Sequence, residues 1–90
     1  MVVMYSIVYS KRATSDIAKL KAAGLDKKAR NLIDLLRKDP FVSPPTLKKL
    51  KGDLSGAYSR GVNIKHRLVY QVCEDEKVVK IIMMWAHYEQ

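Results

Sequence analysis

The chain is 90 residues long and carries 17 Lys+Arg against 9 Asp+Glu, a formal net charge of +8. That length predicts one small domain, residues 1–90, whose thin core leaves little room for an internal cofactor cavity. A hydrophobic fraction of 48% excludes a disordered basic tail, and no apolar run approaches the ~20 residues that cross a bilayer.

In chain order, the opening VVMYSIVY of residues 2–9 is β-branched and aromatic, which predicts a buried strand. The stretch has no basic flank and no small-residue cleavage site, so it is not read as a signal peptide. From Lys11 the period becomes helical through Ala13, Ile17 and Leu20, with Gly24 as the stop. A second helix follows with Asp26 as its N-cap. Its apolar stripe is Ala29, Leu32, Ile33 and Leu36, and Lys27, Lys28, Arg30, Arg37 and Lys38 lie mostly on the other side. Pro40 ends it, because the residue before a proline is pushed away from the α region. After the proline-rich connector 40–47 the pattern is strand throughout: one strand that starts at Leu50–Leu54, is interrupted at Ser55-Gly56 and continues over Tyr58–Asn63, then His66–Cys73, an acidic turn and Val78–His87. The expected architecture is α+β, β-α-α-β-β-β, a helical hairpin packed on an antiparallel sheet.

Cys73 is the single cysteine, so no internal disulfide forms, which fits a reducing cytoplasm. The basic excess attracts a polyanion: nucleic acid first, with an anionic membrane surface or an acidic protein as alternatives. It is concentrated. Residues 48–67 hold Lys48, Lys49, Lys51, Arg60, Lys65 and Arg67 against Asp53 alone, a net +5. Read blandly, this is a lysine-rich sheet edge that resists aggregation.

No Gly-rich phosphate loop, CxxC pair, HExxH or nucleophile elbow is present, and His66, His87 and Cys73 are too scattered for a closed zinc site. Cofactor, metal and acyl-enzyme chemistry are therefore not expected. A basic set with a histidine suits RNA cleavage by the RNA's own 2′-hydroxyl. That reaction needs a base for the 2′-OH, cations for the phosphate and an acid for the departing 5′-oxygen. Arg67 and Arg60 suit the phosphate because a guanidinium holds two oxygens at once. His87 suits the acid, and Tyr88 offers a face on which an unstacked base can sit. Tyr58 and Trp85 read as packing residues.

Three ordered blocks add to this: Leu50-Lys51-Gly52-Asp53-Leu54-Ser55-Gly56-Ala57-Tyr58-Ser59-Arg60, then His66-Arg67-Leu68-Val69-Tyr70, then His87-Tyr88. Together with Asp39-Pro40-Phe41 they resemble the YoeB branch of the RelE-like toxins. The resemblance implies a metal-independent, ribosome-dependent mRNA endoribonuclease that cuts mRNA in the decoding site and inhibits translation. It also implies a neutralising antitoxin of the YefM/Phd type. Carried over by position, Arg67 matches the family's phosphate-binding arginine, His87 its catalytic histidine and Tyr88 its terminal tyrosine. Lys51 matches a basic residue of the active face and Arg60 the first of an arginine pair. Lys48 stands where the branch has a glutamate, Gly61 where it has the second arginine, and Glu89 and Gln90 extend past the tyrosine.

The expected catalytic set is thus His87, Arg67, Lys48, Lys51 and Tyr88, with Arg60, Lys49, Lys65 and Arg67 on RNA phosphates. Lys48 or Lys51 serves as base or transition-state cation, the Lys48/Lys49/Lys51 cluster easing loss of a proton by mutual repulsion; in the alternative, His87 takes the proton and a lysine only stabilises charge. The alternative function is a non-catalytic RNA- or ribosome-binding module of the same fold. A DNA-binding repressor fits less well, since no helix-turn-helix is evident. A homodimer is left open.

Overall fold

The computed structural model describes residues 4–42, 48–50, 52, 56–63 and 65–87, with His87 described through its backbone. Strand β1 (Ser6–Tyr9) is followed by helices α1 (Lys11–Ala22) and α2 (Asp26–Lys38). Strands β2 (Lys48–Lys49), β3 (Tyr58–Gly61), β4 (His66–Cys73) and β5 (Val78–His87) complete a five-stranded sheet in the order β1-β5-β4-β3-β2. The α+β expectation holds, with one change of direction: β1 pairs with β5 in parallel, Ser6 opposite Val78 through Tyr9 opposite Ile81. The other pairings are antiparallel. A short strand at the chain's start has no hairpin to dictate its partner, so pairing with the last strand is settled by the closing of the core.

Helix α1 begins at Ser10, whose Oγ accepts from Ala13 N at 3.0 Å and thereby caps an orphan amide. It ends as Gly24 predicts. Leu25 N donates to Leu20 O (2.8 Å) and Gly24 N to Lys21 O (3.1 Å), the double bond of a Schellman stop, with Gly24 at φ +73°. An added Cβ at Gly24 meets nothing within 4 Å, so the cost of a side chain there comes from φ alone. Gly24→Ala is expected to lower stability by about 1 kcal/mol, read as a shifted urea midpoint with unchanged slope.

The N-cap of α2 is Leu25, without a side-chain hydrogen bond, and Asp26 is the first helical residue. The shared Schellman residue takes the cap position, so Asp26 acts through the helix dipole instead of as the expected cap. Asp39, extended before Pro40, closes the helix.

Ala13 and Leu20 of α1, and Ala29, Leu32, Ile33 and Leu36 of α2, pack on Leu68, Tyr70, Val79, Ile81 and Met84 of the sheet. The helices therefore cover one sheet face. The β4–β5 turn is clamped by Glu74, which accepts from Tyr5 Oη (2.7 Å) and Lys77 Nζ (2.8 Å); Lys77 first and Tyr5 second hold its carboxyl below the ordinary range. Strand β1 begins at Ser6, residues 2–3 lying outside the described ones, and at the sheet edge it is mostly exposed instead of buried. The interrupted strand expected from Leu50 to Asn63 is two strands, β2 and β3, so the sheet has one strand more than expected; Lys51 and residues 53–55 lie outside the described residues. Two boundaries also shift. Residues Lys48 and Lys49 precede the predicted start at Leu50, and β3 stops at Gly61 because Asn63 turns the chain, its Oδ1 accepting from Lys65 N and His66 N. No described helix is long and apolar enough to cross a membrane.

Candidate functional site

Successive residues of a strand alternate faces, and residues opposite each other across a ladder share one. The register sets Lys48 opposite Ser59, Ser59 opposite Val69 and Val69 opposite Met83. The next row is Gly61, Arg67 and Ala86. These two rows form the face away from the helices, and they carry Lys48, Ser59 and Arg67 within one step of each other.

Arg67 is half-buried, and its Nε donates to Ser59 Oγ at 2.8 Å. Ser59 is only 1% exposed, so the hydroxyl is a fixed support beneath the guanidinium. Gly61, directly across from Arg67, brings no side chain to the row. His66 is opposite His87 in the ladder, one position from the Arg67–Ala86 pair. The His66 ring is stacked on Trp85 with centroids 3.8 Å apart and planes at 21°. The start of β4 and the end of β5 thus bring the backbones of Arg67 and His87 to neighbouring ladder positions, His87 on the row of His66 and Arg67 on the alternate row.

Arg60 lies elsewhere. It is fully buried on the helix-covered face opposite Leu68, its Nε donating to Tyr70 Oη (2.9 Å) and its Nη2 to Pro40 O (3.0 Å). Tyr70 Oη donates to the same carbonyl at 2.6 Å. Burial pushes the Tyr70 phenol above its ordinary value, opposed by the Arg60 hydrogen bond and charge. The expected phosphate ligand is here a strut joining the end of α2 to β3 and β4. Tyr58 packs beside it, edge-on to Phe41 at 5.4 Å, as its reading as a packing residue requires.

The lysines also separate. Lys48 shares a face with Ser59, whereas Lys49 pairs with Tyr58 on the opposite face, so adjacent positions do not form the expected cluster. Both are exposed at the sheet edge, and Lys65 is exposed in the β3–β4 turn. Lys51 and Tyr88 lie outside the described residues. Among the described residues no group of His, Cys, Asp and Glu could hold a metal ion.

Ser59 was not singled out by sequence. The signal is available once the β3–β4 hairpin is registered, since Ser59 and Arg67 then fall on one face. Asp16 is a second such residue. It sits on the apolar stripe of α1 between Ala13 and Leu20 and is 2% exposed. A charge on an apolar stripe marks a specific internal partner.

This fold, a helical hairpin on a mostly antiparallel sheet with a basic outer face, defines the class of RelE-like toxins. A YoeB/ParE toxin from Agrobacterium tumefaciens superposes with a TM-score of 0.82, at 27% identity over 92% of this chain and 99% of that one. The YoeB–YefM toxin–antitoxin heterotetramer from Staphylococcus aureus has a chain matching with a TM-score of 0.76, at 31% identity over 93% and 98%. The YoeB toxin of Streptomyces coelicolor is 42% identical over 62 residues, 69% of this chain and 71% of the relative. The sequence profile of the YoeB-like toxin of bacterial type II toxin–antitoxin system matches residues 9–88. The chain belongs to this family of YoeB-like toxins.

Proposed function

We propose that this toxin is a metal-independent endoribonuclease that cleaves mRNA in the ribosomal decoding site and so inhibits translation. The observation that carries the reading is the Ser59-braced Arg67 guanidinium on the same outer face as Lys48; His87 enters by its match to the family's histidine, its backbone at the next ladder position, on the alternate row. Arg67 holds the scissile phosphate as charge grows on its oxygens. The 2′-oxygen attacks phosphorus after losing its proton, with Lys48 as base or stabilising cation. His87 returns a proton to the departing 5′-oxygen, leaving a 2′,3′-cyclic phosphate and a 5′-hydroxyl. Lys51 and Tyr88 complete the set by position, and Lys49 and Lys65 attract the RNA backbone at the rim. Arg60 supports the strands rather than the phosphate.

The Staphylococcus aureus relative forms a complex with YefM. By that likeness the partner that silences this toxin is a YefM/Phd-type antitoxin, acidic enough to cover a face of this charge. Lys48 at the place of the family's carboxylate favours a second reading, a ribosome-binding module without cleavage.

One experiment separates them: translating ribosomes on a defined mRNA, with and without the protein, and chemical mapping of RNA ends. Cleavage with 2′,3′-cyclic phosphate ends is expected, and His87→Ala should reduce it by roughly 10²–10⁴-fold. Ribosome binding without cut ends establishes the second reading, and full activity in His87→Ala overturns its role as acid.

A further inference from the structure

Strand β5 has ten residues against eight in β4, and the register between them shifts twice. From Tyr70–Ile81 to Val69–Met83, β5 contains one extra residue, Ile82; from Val69–Met83 to Arg67–Ala86 it contains another, among Met84 and Trp85. Carried on unbroken, the Tyr70–Ile81 register would set Trp85 opposite His66 and His87 two residues beyond the start of β4. The two bulges draw His87 back by two positions, about 6–7 Å along the strand, to lie opposite His66 and beside the Arg67 row.

A bulge leaves backbone groups without ladder partners, and buried polar groups need them. Here α1 supplies both. Ser10 Oγ donates to Ile82 O at 2.6 Å, and Asp16 Oδ2 accepts from Met84 N at 3.1 Å. Each falls within one of the two shifted stretches. Asp16 is 2% exposed, and its other oxygen is 3.7 Å from the ammonium of the exposed Lys19. Burying a carboxylate on an apolar stripe is costly unless it makes such bonds, and helix packing alone has no use for it.

The geometry points to Asp16 as a positioning residue for the cleavage site: by holding Met84 N it locks the double bulge of β5 and thereby sets where His87 stands relative to Arg67. The catalytic consequence rests on the endoribonuclease reading; the register consequence does not. Ser10 assists at Ile82, but it also caps α1, so Asp16 is the cleaner residue to change.

The test compares wild type with Asp16→Leu and Asp16→Asn, using single-turnover mRNA cleavage on translating ribosomes and amide exchange with backbone NOEs. Wild type is expected to show a protected Met84 amide and a His66–His87 cross-strand NOE. Asp16→Leu, which offers no acceptor, should lose both and cleave roughly 10–100-fold more slowly, with little change in apparent KM. Asp16→Asn keeps an acceptor and should stay within a few-fold of wild type. Ile33→Val, a core change in α2, should leave the cleavage rate unaltered, which separates positioning from general destabilisation. Wild-type cleavage by Asp16→Leu, equal loss in Asp16→Asn, or a freely exchanging Met84 amide in wild type overturns the proposal. If Asp16→Leu does not fold, the Asp16→Asn rate and the wild-type exchange decide it. If wild type itself does not cleave, the activity reading fails, and the exchange and NOE data still decide the register claim.

Discussion

Arg67→Ala should lower single-turnover mRNA cleavage by roughly 10²–10³-fold while leaving the thermal midpoint nearly unchanged. The guanidinium is half-buried on the face away from the core, so its loss opens no hole between helices and sheet. What disappears is the fixed cation on the phosphate, where removal of one preorganised donor costs about that factor. Arg67→Lys is expected to recover only part of the rate. A lysine keeps the charge but replaces a planar fork with a point charge, and it has no Nε to rest on Ser59 Oγ. Ser59 therefore sets the aim of Arg67, and a cleavage rate in Arg67→Ala within threefold of wild type would remove it from the mechanism.

Arg60→Met should have the reverse signature, unfolding the protein more readily without touching the chemistry directly. The fully buried guanidinium makes hydrogen bonds to Tyr70 Oη and Pro40 O that bridge α2's end, β3 and β4. Methionine fills much of the volume but satisfies neither acceptor. A hydrogen bond to a charged group contributes about 1.5–3 kcal/mol, so a loss of roughly 3 kcal/mol is expected. For a domain of this size that corresponds to a fall in Tm of about 12–20 °C. Arg60→Lys should not restore it, because one ammonium cannot span both acceptors. A loss below ~1 kcal/mol in chemical denaturation would show that the Arg60 strut is dispensable.

These two arginines show how far reading a sequence reaches. Both lie in strands seven residues apart, both belong to the blocks that carry the family likeness, and nothing local distinguishes them. Alternation places Arg60 and Arg67 on opposite faces, but which face is buried depends on where the helices dock and where the Pro40 carbonyl arrives. The same holds for Lys48 and Lys49: adjacency in sequence resembles a cluster, and in a strand it means separation.

The amino-acid sequence alone determined the features whose causes are local. Helical spacing set α1 and α2, a left-handed Gly24 ended the first, Pro40 ended the second, and charge between residues 48 and 67 marked the basic strands. The motif blocks were enough to indicate the toxin family. Tertiary structure alone decided the parallel pairing of β1, the burial of Arg60, the Ser59 support of Arg67 and the register of β5. The physical reason is common to all four. Each depends on a partner far along the chain, as when Asp16 accepts the amide of Met84 across 68 residues, and such a bond has no signature until the core has closed.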